Sequence, residues 1–343
     1  MNTSILPFIS VICPVYNEEK YIANCIESVL RQDYPTKHVE VFFVDGGSTD
    51  RTREIIMLYQ EQFPYLQLMD NPNKTSPYAM NLGIRLARGE YIVRLDGHSV
   101  YPENYFSQLI HYAIELQADN VGGEIITLPA SDTVKCKAIA IALSHRFGVG
   151  NSMFRVGTTK IIRTDTVPFG CYKKDIFAKI GLYDEELTRN QDDELNARLI
   201  KHGGKIFLVP NLGILYTVRD TLRKMCKMYY QYGLFKPLVN KKIKRFVSVR
   251  QFVPALFLCG LLAGAILSCF FYPVFLLYVA IIALYFLTGI CIGIQQIKSR
   301  EEIGFVMVLP ATFFLIHVSY GWGFLVGLYK ILTRSKFRAT ENR

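Results

Sequence analysis

Short apolar runs alternate with helical periodicities over the first hundred residues. Residues 8–13 form an apolar run closed by Pro14, and after a polar turn at residues 15–19 apolar positions recur at Ile22, Ile26, Val29 and Leu30. The first pattern predicts a buried strand and the second a helix over about residues 20–32 with one buried face. Residues 39–44 read as a second strand ending at Asp45-Gly46-Gly47-Ser48-Thr49-Asp50, with a helix from about Arg51 capped by Thr49 or Asp50. Residues 66–69 read as a third strand and 77–87 as a third helix; Tyr91-Ile92-Val93 reads as a fourth strand, which breaks at Gly97. This alternation predicts an α/β fold, an open and mostly parallel sheet with helices on both faces. Further on, Val121-Gly122-Gly123 reads as a strand and bend, 133–147 as an amphipathic helix that packs on the sheet or, as the alternative, lies against the membrane surface, and 148–151 as a flexible loop. Residues 222–232 read as a basic, aromatic helix ending at Tyr232-Gly233.

The last third changes character. Residues 252–294 are almost wholly apolar, and so are 303–329 apart from Thr312, His317 and Ser319. Since roughly 20 residues cross a bilayer core, the first run is long enough to cross twice with a break at Tyr272-Pro273, giving about three spans. His317 is expected to hydrogen-bond a neighbouring helix. Residues 1–7 lack a basic start and an apolar core, so the region before the spans is expected to stay in the cytoplasm.

Charge sharpens this picture. The net charge is +10, and Lys236, Lys241, Lys242, Lys244, Arg245 and Arg250 crowd against the first span, marking that side as inside. Their expected partners are anionic membrane lipids, not nucleic acid. The tail carries Lys330, Arg334, Lys336, Arg338 and Arg343, which favour the inside as well, whereas three crossings would put it outside. The expected organisation is a cytoplasmic domain over 1–235, a basic linker over 236–251, a transmembrane region over 252–329 and a basic tail over 330–343. Eight cysteines occur without a Cys-x-x-Cys pair, the usage of a reducing compartment, and neither a zinc site nor a disulfide framework is indicated.

Candidate chemistry gathers at strand ends. Asp96 and His98 flank Gly97 at the carboxyl end of the fourth strand, where open α/β sheets present ligand groups. Residues two apart in extended chain point the same way, so this pair could hold one divalent cation, and a cation could hold a diphosphate. A plain β-turn is the alternative. Asn17-Glu18 and Asp45-Gly46-Gly47 end neighbouring strands and should converge on the same edge. Asp45 is placed to accept hydrogen bonds from a nucleobase or ribose, or it serves only a helix-entry turn. With neither Gly-x-Gly-x-x-Gly nor a P-loop, phosphates would be held through a metal. The stretch Asn190-Gln-Asp-Asp-Glu-Leu-Asn-Ala-Arg198 starts a helix with acidic residues in its first turn, which stabilise a helix N-terminus without any catalysis.

Three segments carry a resemblance. Phe8-Ile-Ser-Val-Ile-Cys-Pro-Val-Tyr-Asn-Glu-Glu19, Val44-Asp-Gly-Gly-Ser-Thr-Asp-Arg-Thr52 and Ala87-Arg-Gly-Glu-Tyr-Ile-Val-Arg-Leu-Asp96 resemble, in order, the signatures of family 2 inverting glycosyltransferases with the GT-A fold. The resemblance covers most of residues 8–235. Within the family the chain is most similar to succinoglycan-type exopolysaccharide glucosyltransferases, whose Asp-x-His stands where Asp-x-Asp is usual, as Asp96-Gly97-His98 does. It implies donor-nucleotide binding at Pro14, Tyr16, Glu18, Asp45 and Asp96, and a divalent cation, Mn2+ or Mg2+, at Asp96 and His98. It implies a catalytic base at Asp192, with Asp193 as the alternative, and places Gln191 where the family has Glu. Arg223 and Tyr232 are accessory candidates. Processive synthases of the family carry Gln-x-x-Arg-Trp where this chain has Gln231-Tyr-Gly-Leu-Phe235, which points to one sugar per acceptor.

The implied function is transfer of a hexose from a nucleotide diphosphate sugar to a lipid-linked saccharide, in exopolysaccharide or cell-surface glycan synthesis. The enzyme would be multi-pass in the cell membrane with its catalytic domain cytoplasmic. Transfer onto polyprenyl phosphate and a non-catalytic nucleotide-binding membrane scaffold are the alternatives.

Overall fold

The computed structural model of the chain describes residues 6–244 and 249–337. Arg245 of the juxtamembrane cluster and Arg338 and Arg343 of the tail lie outside the described residues. In chain order the elements are β1 (Ile9–Val15), α1 (Ile22–Leu30), β2 (Val39–Asp45), α2 (Thr52–Gln62), β3 (Leu66–Asp70), α3 (Ser76–Leu86), β4 (Tyr91–Arg94), β5 (Ser99–Val100), α4 (Tyr105–Glu115) and β6 (Asn120–Leu128). There follow α5 (Val134–Ser144), α6 (Arg146–Val149), α7 (Met153–Val156), β7 (Ile162–Arg163), β8 (Cys171–Lys173), α8 (Ile176–Ile180), α9 (Gln191–Lys201) and β9 (Ile206–Thr217). The chain continues through α10 (Leu222–Ile243), α11 (Val253–Ser268), α12 (Tyr272–Gln295) and α13 (Phe305–Leu332). It divides into two compact units, Met1–Ile126 with Gly157–Tyr216, and Thr127–Val156 with Thr217–Arg343. Residues 127–156 and 217–235, read from sequence as part of the first domain, group with the second unit.

The first unit is built on one sheet in the order β3-β2-β1-β4-β8-β6-β9-β5, with β7 beside β9. The pairings β3/β2, β2/β1 and β1/β4 are parallel, as the alternation predicts. From β4 outward the described pairings are antiparallel, through β8, which joins β4 to β6, and through β9, which holds β5 and β7. β1 does not stop at Pro14. The Ile12 carbonyl accepts from Leu95 on the β4 side and the Val15 carbonyl accepts from Gly46 on the β2 side, so Pro14 turns its missing N–H toward β4. The β1/β4 register there ends at Ile12 opposite Arg94, and no ladder bond is lost. β6 also runs on through Gly122 and Gly123 where a bend is expected. A Cβ at Gly123 would strike the Leu212 carbonyl of β9, so glycine allows the two backbones to approach.

Every residue of β2 is buried, Glu40 included. Its carboxylate accepts from the Ser10 hydroxyl of β1 at 2.6 Å and from the Arg88 amide and guanidinium at 2.7 and 2.8 Å. Gly89 donates to the Ser10 hydroxyl oxygen in turn. One acid thereby ties two strands to the turn that leads into β4.

In the second unit the helix expected over 133–147 starts at its Thr133 cap but breaks at His145, which is extended. The His145 ring accepts from the Phe147 amide and starts α6, so the expected loop at 148–151 begins as helix. α5 packs on α13. α10 passes Tyr232-Gly233 and Pro237 and ends at Ile243, so the expected linker is helical in its first half. Gly233 is a contact glycine, with the Tyr320 carbonyl of α13 where its Cβ would be. The helical segments Val249–Ser268, Tyr272–Gln295 and Arg300–Leu332, which contain α11, α12 and α13, are each long and apolar enough to cross a membrane. The break between the first two falls just before Tyr272, with Pro273 in the first turn of α12. His317 bonds the Tyr285 hydroxyl of α12 at 2.8 Å, as expected.

Candidate active site

Because β2, β1 and β4 are adjacent and parallel, the loops that follow them meet at one sheet edge. Backbone-to-side-chain bonds stitch the first two loops. Asn17 N–H donates to Ser48 Oγ at 2.9 Å and Thr49 N–H to Asn17 Oδ1 at 2.8 Å. Glu18 N–H donates to Thr52 Oγ1 at 2.6 Å, and Glu19 N–H to Asp50 at 3.1 Å. The cap position of α2 is Arg51, not Thr49 or Asp50 as expected, although Asp50 accepts from the Thr52 amide at 3.0 Å. Asn17 itself is left-handed, with φ 54°.

This stitching aims Glu18 at the end of β4. Glu18, Asp96 and His98 each offer one ligand atom, and those atoms lie within 4.8 Å of one another. Glu18 Oε1 is 3.2 Å from His98 Nδ1, and Asp96 Oδ1 meets the same nitrogen. Gly97 has no room for a side chain at ordinary contact distance: a Cβ there would lie 3.1 Å from Val15 Cγ1 and 3.2 Å from Glu18 Cγ. Burial by itself lowers the His98 pKa, but Asp96, Tyr216 and Glu18 outweigh burial and raise it well above the ordinary imidazole value. A proton here offsets the two carboxylates, as a cation would, and the two compete for the imidazole. Two carboxylates and an imidazole facing one point fit one divalent cation, and the nitrogen suits manganese better than magnesium. Sequence reasoning gave Asp96 and His98 as the ligand pair and counted Glu18 only toward the donor; its place in this cluster depends on strand adjacency.

Asp45 also ends at this edge, but its side chain is covered. It accepts from the amides of Gly47 and Ser48, from the Ser48 hydroxyl at 2.5 Å and from Arg53 at 2.8 Å. Arg53 reaches on to Asp70 at 2.6 Å. The carboxylate is bonded by its own turn and by Arg53, and the exposed members of the cluster are Arg53 and Asp70, neither of which sequence reasoning singled out. Pro14 and Tyr16 are half-buried at the end of β1 and just beyond it.

Asp192 lies in the first turn of α9, behind Asn190 in the left-handed region at φ 58°. One of its oxygens pairs with Arg94, the buried last residue of β4. Arg94 lies 6.0 Å from the Phe169 ring centre, Phe169 stacks on Tyr216 at 6.4 Å, and Tyr216 is 4.9 Å from the His98 ring. A continuous set of side chains thus joins Asp192 to the acid and histidine cluster. The helix is fixed by buried Asn196, which binds Asn120 at 2.9 Å, Tyr172 at 3.1 Å and Thr166 at 2.9 Å. Gln191 is buried and Asp193 half-exposed. Arg223 and Tyr232 lie on α10 in the second unit, Arg223 exposed and Tyr232 edge-on to Tyr229 at 5.7 Å. Sequence reasoning missed Arg94, Phe169 and Tyr216. Only Arg94 gave a signal, as a charged residue inside an apolar strand.

Comparison with known proteins identifies the family. The Glycosyl transferase family 2 profile matches residues 10–181. A protein of Methanococcus voltae, dolichyl N-acetyl-alpha-D-glucosaminyl phosphate 3-beta-D-2,3-diacetamido-2,3-dideoxy-beta-D-glucuronosyltransferase, is 29% identical over 331 residues, 94% of this chain and 98% of that one. Succinoglycan biosynthesis protein ExoA of Rhizobium meliloti (strain 1021) is 30% identical over 260 residues, 75% of this chain and 77% of ExoA. Among solved structures, the mannosyltransferase PcManGT of Pyrobaculum calidifontis, in complex with GDP-Man and Mn2+, superposes with a TM-score of 0.59 at 17% identity over 93% of this chain and 88% of its own. That likeness shows the fold, a GT-A-type α/β sheet followed by apolar helices. The chain belongs to the family 2 glycosyltransferases.

Proposed function

We propose that this glycosyltransferase is inverting and metal-assisted, and that it moves a hexose from a nucleotide diphosphate sugar to a lipid-linked saccharide at the cytoplasmic face of the membrane. One observation carries the reading: Arg94 ties Asp192 to the strand whose end bears Asp96 and His98, so a base and a cation site belong to one set of side chains. The Methanococcus relative, named for a dolichyl-linked sugar phosphate, and ExoA, named for succinoglycan, support an acceptor that already carries sugar. The apolar helices support an acceptor in a bilayer. Lys236, Lys241, Lys242, Lys244 and Arg250 ahead of α11 support a cytoplasmic catalytic unit.

Glu18, Asp96 and His98 would hold the cation, which supplies neutralising charge for a departing diphosphate. Asp192 takes the proton from the acceptor hydroxyl while its oxygen attacks the anomeric carbon from the face opposite the nucleotide. The bond from that carbon to the diphosphate oxygen breaks, and nucleoside diphosphate leaves with the electron pair. Arg94 holds Asp192 by one carboxylate oxygen and so orients it.

The test is release of nucleoside diphosphate by the detergent-purified chain from a panel of nucleotide sugars, with a lipid-linked acceptor extract and manganese or magnesium. Release should need the metal, should fall about 100- to 10,000-fold in Asp192→Asn, and should give a product of opposite anomeric configuration. Undiminished release in the variant removes Asp192 as base, and retained configuration removes inversion. Tight nucleotide binding with no release from any donor, once acceptor supply has been verified, favours a scaffold.

A further inference from the structure

α11 and α12 are apolar all round and little of their surface meets protein: 17% and 11% of their most apolar windows are buried, against 33% for the segment containing α13. A bilayer has to cover the first two. α13 is apolar as well, but it lies against α5 and α10 in addition to α11 and α12. At its start Gly304 abuts Val134 at the beginning of α5, and Glu302 pairs with Lys137 of α5 at 3.2 Å. Further along, Phe313 meets the rings of His145 and Phe147 at 5.9 and 5.0 Å. Gly323 abuts the Tyr230 carbonyl of α10, and Gly327 abuts the Leu234 carbonyl and Pro237. Beyond the helix the chain stays there, with the Phe337 ring 5.7 Å from Phe235 in mid-α10.

The depth of α10 in a membrane follows from its charges. Arg223, Lys224 and Lys227 stand at one end and Lys236, Lys241 and Lys242 toward the other. The uncharged stretch between them, 228–235, is roughly 12 Å long at 1.5 Å per residue, against about 30 Å of hydrocarbon. α10 is therefore too short in apolar length to cross, and belongs at the headgroup level. Residues 320–327 of α13 share that level because they lie alongside 230–237. The other end of α13 is held by α5, whose first turns carry Lys135 and Lys137. A crossing helix would put its two ends on opposite faces.

We propose that only α11 and α12 cross the bilayer, and that α13 lies along the membrane surface on the face where α5 and α10 sit, with the C-terminal tail on that face. The outward side of α13 exposes Met307, Trp322, Tyr329 and Leu332, and Trp and Tyr are the side chains enriched at headgroup depth. This arrangement removes the conflict in the charge pattern. Lys330, Arg334 and Lys336 fall on the same side as Lys236, Lys241, Lys242 and Arg250, whereas three crossings would separate them.

The test uses full-length protein in sealed membrane vesicles of one orientation, with a single epitope tag at the N-terminus, between Phe270 and Phe271, or after Arg343. Among the described residues, no helix before α5 is long and apolar enough to cross, so the N-terminal tag reports the side of α5. Protease should remove the N- and C-terminal tags together and spare the tag at the α11–α12 turn until detergent is added, or the reverse in vesicles of opposite orientation. A C-terminal tag that follows the turn tag, or a turn tag that follows the N-terminal one, overturns the proposal. If the insertion at the turn prevents folding, the two terminal tags decide alone: opposite sides overturn the arrangement, and the same side supports it.

Discussion

Left-handed backbone marks both halves of the site. Asn17 at φ 54° precedes Glu18, Asn190 at φ 58° precedes Gln191 and Asp192, and Phe169 at φ 45° lies between Arg94 and Tyr216. Asparagine takes this region readily; phenylalanine does so at a cost of about 1–2 kcal/mol, which its aromatic and cationic neighbours must offset. Asn17 was legible as a turn residue and Asn190 as the start of a helix, but nothing in the sequence flags the phenylalanine. Glu18 is the residue whose surroundings in the structure add most to the sequence expectation. If it completes the cation site, Glu18→Gln loses one charged contact worth about 1.5–3 kcal/mol, and so roughly 10- to 100-fold in metal affinity. Calorimetric titration of manganese into the purified chain with nucleoside diphosphate present reads this directly, and an unchanged affinity would remove Glu18 from the ligand set.

Among elements, β2 shows what a strand's own sequence can and cannot reveal. A glutamate within the apolar run of residues 39–44 was visible, but its partners Ser10 and Arg88 come from register and from the turn before β4. Burial alone would raise the Glu40 pKa; the bonds from Arg88 and Ser10 outweigh burial and hold it below the usual carboxylate range. A lowered folded-state pKa gives stability that is present above the unfolded value of about 4.3 and is lost as pH falls through the folded one. Glu40→Gln should therefore melt at a lower temperature than the parent chain near pH 7, with the gap closing below about pH 4.3. Melting curves from pH 7 to pH 3 would show this, and a gap independent of pH would refute it. α10 is the opposite case: Gly233, which sequence reasoning took for a helix stop, is a point of contact with α13. Gly323 of α13 faces the same groove, with the Tyr230 carbonyl where a side chain would begin. Gly323→Leu should overpack this contact by about 1–3 kcal/mol, lowering the melting temperature in detergent. A variant as stable as the parent would mean that the two helices part without loss.

For the whole molecule, the legible half was the one built from repeats. The parallel strands β3, β2, β1 and β4 announce themselves through alternation with helices, and so does the site edge they share. β5 and β7 have two residues each and β8 three, too few for any periodicity; β6 was legible only at 121–123, and β9, twelve residues long, was missed although its apolar run at 206–209 was there to read. The interleaving of the units was missed as well. The chain passes from the first to the second at Ile126 and Tyr216 and returns at Gly157, and these passages carry no run of glycine, proline or serine to mark a linker. That interleaving governs how the enzyme can be taken apart. Truncation after residue 216 would not free a catalytic unit, because it would strand residues 127–156 without α13, on which α5 packs. A separate sugar-transferring half would need two excisions and a new junction joining residue 126 to residue 157, a surgery that gene fission by a single cut cannot perform.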